Sequence, residues 1–248
     1  MFYPASKLPT ITKGLLAAVM AGALASVVFP AWTIAHLGLI PVKVLQNGYI
    51  WQTITYLFLH GGLAHLIFNM FAIYMFCPSI ENLWGERKFL IYFLICGVGA
   101  ALLTIAISPL SLVPTIGASG AIYGVLFAYA EIFPDSIFYL GFLLPIRAKH
   151  FIVLLFFLEF FLSQSPSLVA RFAHLGGLLT GLLYFKTPSL VNLIKWRRPK
   201  NYQREKKSSP LEEVDRILDK IKTRGINSLS AREKEILEKA SETFKHSS

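Results

Sequence analysis

The feature that most limits what this chain can become is its succession of long apolar runs. Between Gly14 and Leu39 there is no Asp, Glu, Lys or Arg, and further apolar runs fall at about 64–80, 89–107, 118–134, 149–164 and 169–186. A bilayer core takes about 20 apolar residues of helix to cross. In lipid each backbone N–H and C=O must be satisfied within the protein, which makes the helix the form such runs adopt. The pattern therefore predicts six transmembrane helices. Composition agrees: 54% of residues are hydrophobic against 15% charged, and the mean hydropathy is +0.56, far from a soluble domain.

The first run could pass for a signal peptide, with Lys7 and Lys13 before it and Ala23-Leu24-Ala25-Ser26 resembling a cleavage site. It is longer than a signal h-region and a multi-span chain follows, so it reads as an uncleaved first span. Residues 40–64 mix Trp51, Tyr56, His60 and glycines with aliphatics and read as an interfacial segment.

Charge sets the orientation. With a cytoplasmic N-terminus, the inside segments carry Lys7, Lys13, Arg87, Lys88, Arg147, Lys149, Lys186, Lys195, Arg197, Arg198 and Lys200, whereas the outside ones carry only Lys43 and Arg171. Both termini are thus expected on the cytoplasmic side of the cell membrane. Residues 186–248 hold 16 basic residues against 9 acidic, and residues 1–185 hold 8 against 5. Membrane topology explains this basic tail better than nucleic acid does. Cys77 and Cys96 lie in apolar runs and read as small core residues.

Beyond Lys200 the composition turns soluble. Ser209-Pro210-Leu211-Glu212 is a helix start, Leu211, Val214, Leu218 and Ile221 share a face, and Gly225 stops the helix. Ser230-Ala231-Arg232-Glu233 repeats the capping pattern before Ile236, Leu237, Ala240 and Phe244. The expected organisation is an all-α membrane protein: a six-span bundle over 1–186, a basic linker over 187–208 and a small helix pair over 209–246. The pair has little core of its own and is suited to docking on a partner, the membrane face or another copy.

Topology then brings three polar sites to one depth on one side. His65 and Asn69 fall in the first turns of span two, Ser119 opens span four, and His174 lies about one turn into span six. Ionisable groups inside a membrane are costly and face a bundle interior or a wet cavity. A serine beside a histidine is the minimum for an activated nucleophile. Ser119 at a helix N-terminus also meets the unpaired N–H groups that stabilise an oxyanion, and His65 and Asn69, spaced i, i+4, are candidate side-chain donors to it. The plainer reading of Gly120 and Gly124 is a packing face with GxxxG spacing, matched on span six by Gly177 and Gly181. Such faces bring the serine and histidine helices together, so the two readings agree. Asp135 falls in a loop at the other end of span four, which leaves a dyad and no triad. Tyr123, one turn below Ser119, is placed to stack on or orient His174.

The set His65-xxx-Asn69, Gly117-Ala118-Ser119-Gly120 with Tyr123, and Ala173-His174-xx-Gly177-xxx-Gly181 resembles the rhomboid family of intramembrane serine proteases, over roughly residues 40–186. The resemblance implies a six-helix fold and a Ser-His dyad that cuts peptide bonds of single-span membrane proteins just inside the outer face of the bilayer, without metal or cofactor. By position Ser119 is the nucleophile, His174 the base, and His65, Asn69 and the Ser119 amide the oxyanion donors, with Gly117 freeing the backbone beside them. Many members have Trp-Arg where this chain has Trp51-Gln52. The change removes a charge that helps to fix the outer loop. Two other classes stand against a protease: a catalytically weak relative that binds membrane-protein clients, which would usually lack the serine or the histidine, and a transporter, which would show repeats or paired intramembrane charges. His60 reads as a structural loop residue, His36 and His150 as interfacial ones, and the mid-span Glu159 as a carboxyl hydrogen-bonded between helices.

Overall fold

The computed structural model describes residues 8–140, 144–157, 168–187, 210–225, 228–230, 233–234 and 236–237. Two compact units divide the chain, Met1–Trp196 and Arg197–Ser248.

The first unit opens with α1 (Thr10–Val28), then α2 (Pro30–Leu37). The expected run from Gly14 to Leu39 is therefore not one helix. Pro30 has no N–H to continue the ladder and disfavours helical backbone in the residue before it, so Phe29 leaves the helix at φ −130° and ψ 59° and a new helix starts on the proline. The interfacial segment consists of α3 (Pro41–Asn47), α4 (Gln52–Thr55) and a 3-10 turn over Tyr56–Phe58. The remaining long elements are α5 (Leu63–Trp84), α6 (Glu86–Ile107), α7 (Ser119–Ile132), α8 (Ala148–Phe157) and α9 (Leu168–Lys186).

Two boundaries moved for identifiable reasons. α5 runs through Pro78 to Trp84, past the expected end at Ile80, and stops at Gly85, whose φ of +81° no helix continues. Between α7 and α8 the chain makes an antiparallel hairpin, β1 (Ile137–Leu140) with β2 (Leu144–Arg147), where a plain loop was expected. Phe138 on β1 packs its ring on Phe76, Tyr129 and Phe151. One aromatic anchor thus holds a short two-stranded element that would be marginal alone. Glu159 lies outside the described residues.

α6, α7 and α9 pack most extensively on one another. α7 is buried on nearly all sides, from Gly120 to Ile132, which makes it the central post of the bundle. α1, α5 and α6 are long and apolar enough to cross a membrane, and α7 is a shorter apolar helix. Their outer faces present large apolar side chains such as Leu24, Phe68, Phe71, Ile95 and Leu102, which suits lipid and not water.

Polar groups buried in such a fold must find partners. Glu81, 2% exposed on α5, accepts hydrogen bonds from the Ile11 and Thr12 amides at 2.8 Å and from the Thr12 hydroxyl at 2.7 Å. α1 begins after Pro9 without a capping side chain of its own, so a residue 69 positions away caps it. Gln52 is fully buried; its carbonyl accepts the Ile40 amide at 3.0 Å and its NH2 donates to the carbonyls of Ala35 and His36 at 3.2 and 3.3 Å. A neutral amide thus both accepts and donates at this position, and Lys43 Nζ and Trp51 Nε1 bind the same two carbonyls at 2.9 and 2.8 Å. A two-residue bridge, Leu39 with Thr115, ties this loop to the segment entering α7.

In the second unit, α10 (Pro210–Arg224) ends at Gly225, φ +77°. Among its described side chains Ile217 is buried, whereas Leu218 is half exposed. Ser230 and Glu233 form a reciprocal capping box, Ser230 N–H to Glu233 Oε2 at 2.8 Å and Glu233 N–H to Ser230 Oγ at 3.3 Å. Lys220 reaches back to Glu233 at 2.7 Å. Ser209, Ala240 and Phe244 lie outside the described residues.

Candidate active site

Ser119 is the first residue of α7, so its amide belongs to the turn whose N–H groups lack intrahelical acceptors and carry the positive end of the helix dipole. Its hydroxyl meets His174 Nε2 at 2.7 Å across 55 residues of sequence.

The close approach of α7 and α9 makes that contact possible. A Cβ on Gly177 would collide with the Gly120 carbonyl, one on Gly124 with the Cys96 sulfur, and one on Gly181 would lie 2.8 Å from the Tyr92 hydroxyl. Glycines on both helices remove these atoms and let the backbones nearly touch. Tyr92 then donates to the Gly124 carbonyl at 2.7 Å and locks the crossing from α6. Tyr123 lies one turn below Ser119 and stacks flat on His174, centroids 4.7 Å apart and planes 11° from parallel. Asp135 is paired with Arg147 at 3.6 Å beyond the far end of α7.

His65 and Asn69 share a face of α5. Asn69 is buried and gives one of its two amide hydrogens to the His65 carbonyl at 2.8 Å. Gly117, φ +123°, stands where any side chain would be driven into His65: its Cβ would lie 2.7 Å from the imidazole and 3.6 Å from Ser119 Oγ. That vacated space is a recess bounded by the Ser119 hydroxyl and the His65 ring. His60, in the loop before α5, is buried with its ring centroid 5.0 Å from that of His65. Burial foremost, and His65 beside it, lower its pKa to about 4, so it is neutral at physiological pH.

The sequence-chosen residues thus assemble: Ser119, His174 and Tyr123 in direct contact, Gly117 and His65 across the recess, Asn69 bonded to His65, and Gly120, Gly177 and Gly181 at the helix crossing. His36 stacks on Trp32 of its own helix, and His150 is exposed. Among the described residues no cluster of His, Cys, Asp or Glu is arranged to hold a metal ion.

The Rhomboid domain family model matches residues 47–188, more than half of the chain. The chain belongs to the rhomboid family. RHOMBOID-like protein 6, mitochondrial, of Arabidopsis thaliana is 33% identical over 140 residues, 56% of this chain and 44% of that protein. Rhomboid protease GluP of Bacillus subtilis is 30% identical over 141 residues, 56% of this chain and 26% of its own length. Rhomboid-like protease 3 of Toxoplasma gondii is 30% identical over 170 residues, 67% of this chain and 63% of that protein. The chain therefore spans from about a quarter to under two thirds of these relatives. A second match, over residues 200–243, is to a family of unknown function, DUF6576.

Every residue of the rhomboid constellation named above lies inside the matched region. Sequence reasoning passed over Tyr56 and Glu81. Tyr56 stood in a segment read only as interfacial, and its hydroxyl donates to the Gly97 carbonyl of α6, a bond that no sequence pattern marks.

Proposed function

We propose that this protein is an intramembrane serine endopeptidase that cuts single-span membrane proteins near the outer face of the bilayer. The observation that carries the reading is the 2.7 Å contact between Ser119 Oγ and His174 Nε2 at the head of the buried central helix. Such a hydroxyl and imidazole act as one unit. His174 Nε2 takes the Ser119 proton as Oγ bonds to the substrate carbonyl carbon. The carbonyl oxygen, now negative, enters the recess beside Gly117, where the Ser119 amide, His65 and Asn69 donate to it. The C–N bond then breaks, the leaving nitrogen takes the proton from His174, and the acyl group stays on Ser119. Water, deprotonated by His174, attacks that ester and releases the carboxyl product, and the proton returns to Ser119. Tyr123 fixes the plane of the imidazole in place of a triad acid.

Substrate arrives laterally from lipid, and its backbone must leave the helical state before a carbonyl is open to attack. Segments with Gly or Pro near the outer end of their span are thus preferred. The bound partners are lipid and single-span substrates. Positive-inside charge places both termini in the cytoplasm of the cell membrane, and the second unit serves self-association or a protein partner.

The test incubates purified protein in detergent with a generic single-span substrate. Cleavage should be blocked by a serine-reactive phosphonate and abolished by Ser119→Ala or His174→Ala, the double variant being no worse than either. Cleavage surviving Ser119→Ala removes this reading. Client binding by a wild type that neither cleaves nor reacts with the phosphonate would favour a client-binding relative.

A further inference from the structure

The three residues of the 3-10 turn join α6, α1 and the segment entering α7. The Tyr56 hydroxyl, fully buried, donates to the Gly97 carbonyl of α6 at 2.8 Å. The Tyr56 carbonyl accepts the Gly117 amide at 2.9 Å. Leu57 fills the side-chain space that Gly97 leaves open on α6, where a Cβ would lie 2.6 Å from its Cδ1, and the Phe58 carbonyl occupies the corresponding space at Gly22 on α1. A Cβ on Gly120 would lie 3.4 Å from the Tyr56 hydroxyl. The turn is a wedge seated on three glycines.

One end of Tyr56 is therefore tied to α6, and the other holds the residue whose φ of +123° opens the recess beside Ser119. With its N–H engaged by Tyr56, Gly117 cannot swing its peptide plane into that recess. Burial, with the Cys96 thiol second, pushes the Tyr56 hydroxyl pKa up, so the group remains an O–H donor. We propose that Tyr56 is a positioning residue: through its hydroxyl on Gly97 and its carbonyl on Gly117 it sets where Ser119 and its oxyanion recess stand. Small displacements of a catalytic group cost rate far more than they cost binding. The inference rests on the serine protease reading, and the experiment separates the two.

The rate at which a fluorescent phosphonate labels Ser119 is measured on purified full-length protein, beside kcat and KM on the single-span substrate. Wild type that is labelled, with Ser119→Ala unlabelled, keeps the reading; unlabelled wild type removes the reading and the inference together. Tyr56→Phe retains the ring and loses only the hydroxyl. It should label about five- to tenfold more slowly per folded molecule, the scale of one lost hydrogen bond, with kcat falling by the same factor and KM within about twofold. Leu57→Ala opens a void in the same wedge without removing a hydrogen bond. It should lower the unfolding temperature while labelling within about twofold of wild type. If Tyr56→Phe does not survive purification, labelling is run in isolated membranes and counted against the protease-resistant fraction. Labelling of Tyr56→Phe at the wild-type rate, or a loss that Leu57→Ala reproduces at equal destabilisation, overturns the proposal.

Discussion

Tyr123 lies flat on His174, ring centroids 4.7 Å apart and planes 11° from parallel, one helical turn below the serine that His174 contacts. If His174 acts as the base of a dyad, this stacking face helps to limit the rotation of its imidazole. Tyr123→Phe keeps that face and should retain kcat within about threefold, whereas Tyr123→Ala should lower it about tenfold or more, an aromatic pair carrying roughly 0.5–1.5 kcal/mol beyond burial. Equal activity of the Phe and Ala variants would show that the stack is packing alone.

Asn69 has one of its two amide hydrogens committed to the His65 carbonyl at 2.8 Å. If it and His65 donate to charge that develops only in the transition state, removing either should lower kcat by about 10- to 1,000-fold with KM nearly unchanged. His65→Ala should be the more severe, because it also removes the ring against which Gly117 closes the recess. Steady-state kinetics decide it: a change mainly in KM would reassign both residues to substrate binding.

The Ser119–His174 contact and the helix crossing were legible because they depend on regular features. Ser119 is marked by its small neighbours at a helix start, and His174, Gly177 and Gly181 lie on one helical face whatever surrounds them. The long-range bonds that tie the bundle together were not legible, since they join segments that no periodicity relates. Glu81 reaches Thr12 across 69 residues, Tyr56 reaches Gly97 across 41, and Gln52 gathers three backbone groups between positions 35 and 40. The Trp51-Gln52 departure shows the same limit. By type it removes a charge, yet in place it accepts the Ile40 amide, which a guanidinium cannot do.

His60 supplies a pH dependence of stability. Its pKa of about 4 in the folded protein lies below the ordinary 6.5, so above pH 6.5 the folded and unfolded chains are both neutral there and its contribution is fully present. Between 6.5 and about 4 the unfolded chain takes up a proton that the native loop refuses, and stability falls with pH. Unfolding midpoints measured across this window should decline, and His60→Asn should flatten the decline if the mutant loop holds. An unchanged slope in His60→Asn would place the titration elsewhere.

Glu81 should be the residue that couples α1 to the rest of the bundle. Its carboxylate takes three donors at 2.7–2.8 Å from the first turn of a helix that has no cap of its own, where a negative charge also meets the positive end of the dipole. Glu81→Gln keeps one acceptor oxygen and exchanges the other for an NH2 that faces donors, so it should cost about 1–3 kcal/mol. Glu81→Ala leaves all three donors bare in a buried site and should cost more, about 3–5 kcal/mol, the range for breaking a buried charged network. Thr12→Val removes one of those donors. Its double-mutant cycle with Glu81→Ala should therefore show coupling of about 0.5–3 kcal/mol, because the two losses overlap. Reversible unfolding in mixed micelles measures each variant. Wild-type stability in Glu81→Ala would mean that α1 is held by its apolar face alone, and strict additivity with Thr12→Val would mean that the hydroxyl contributes independently of the carboxylate.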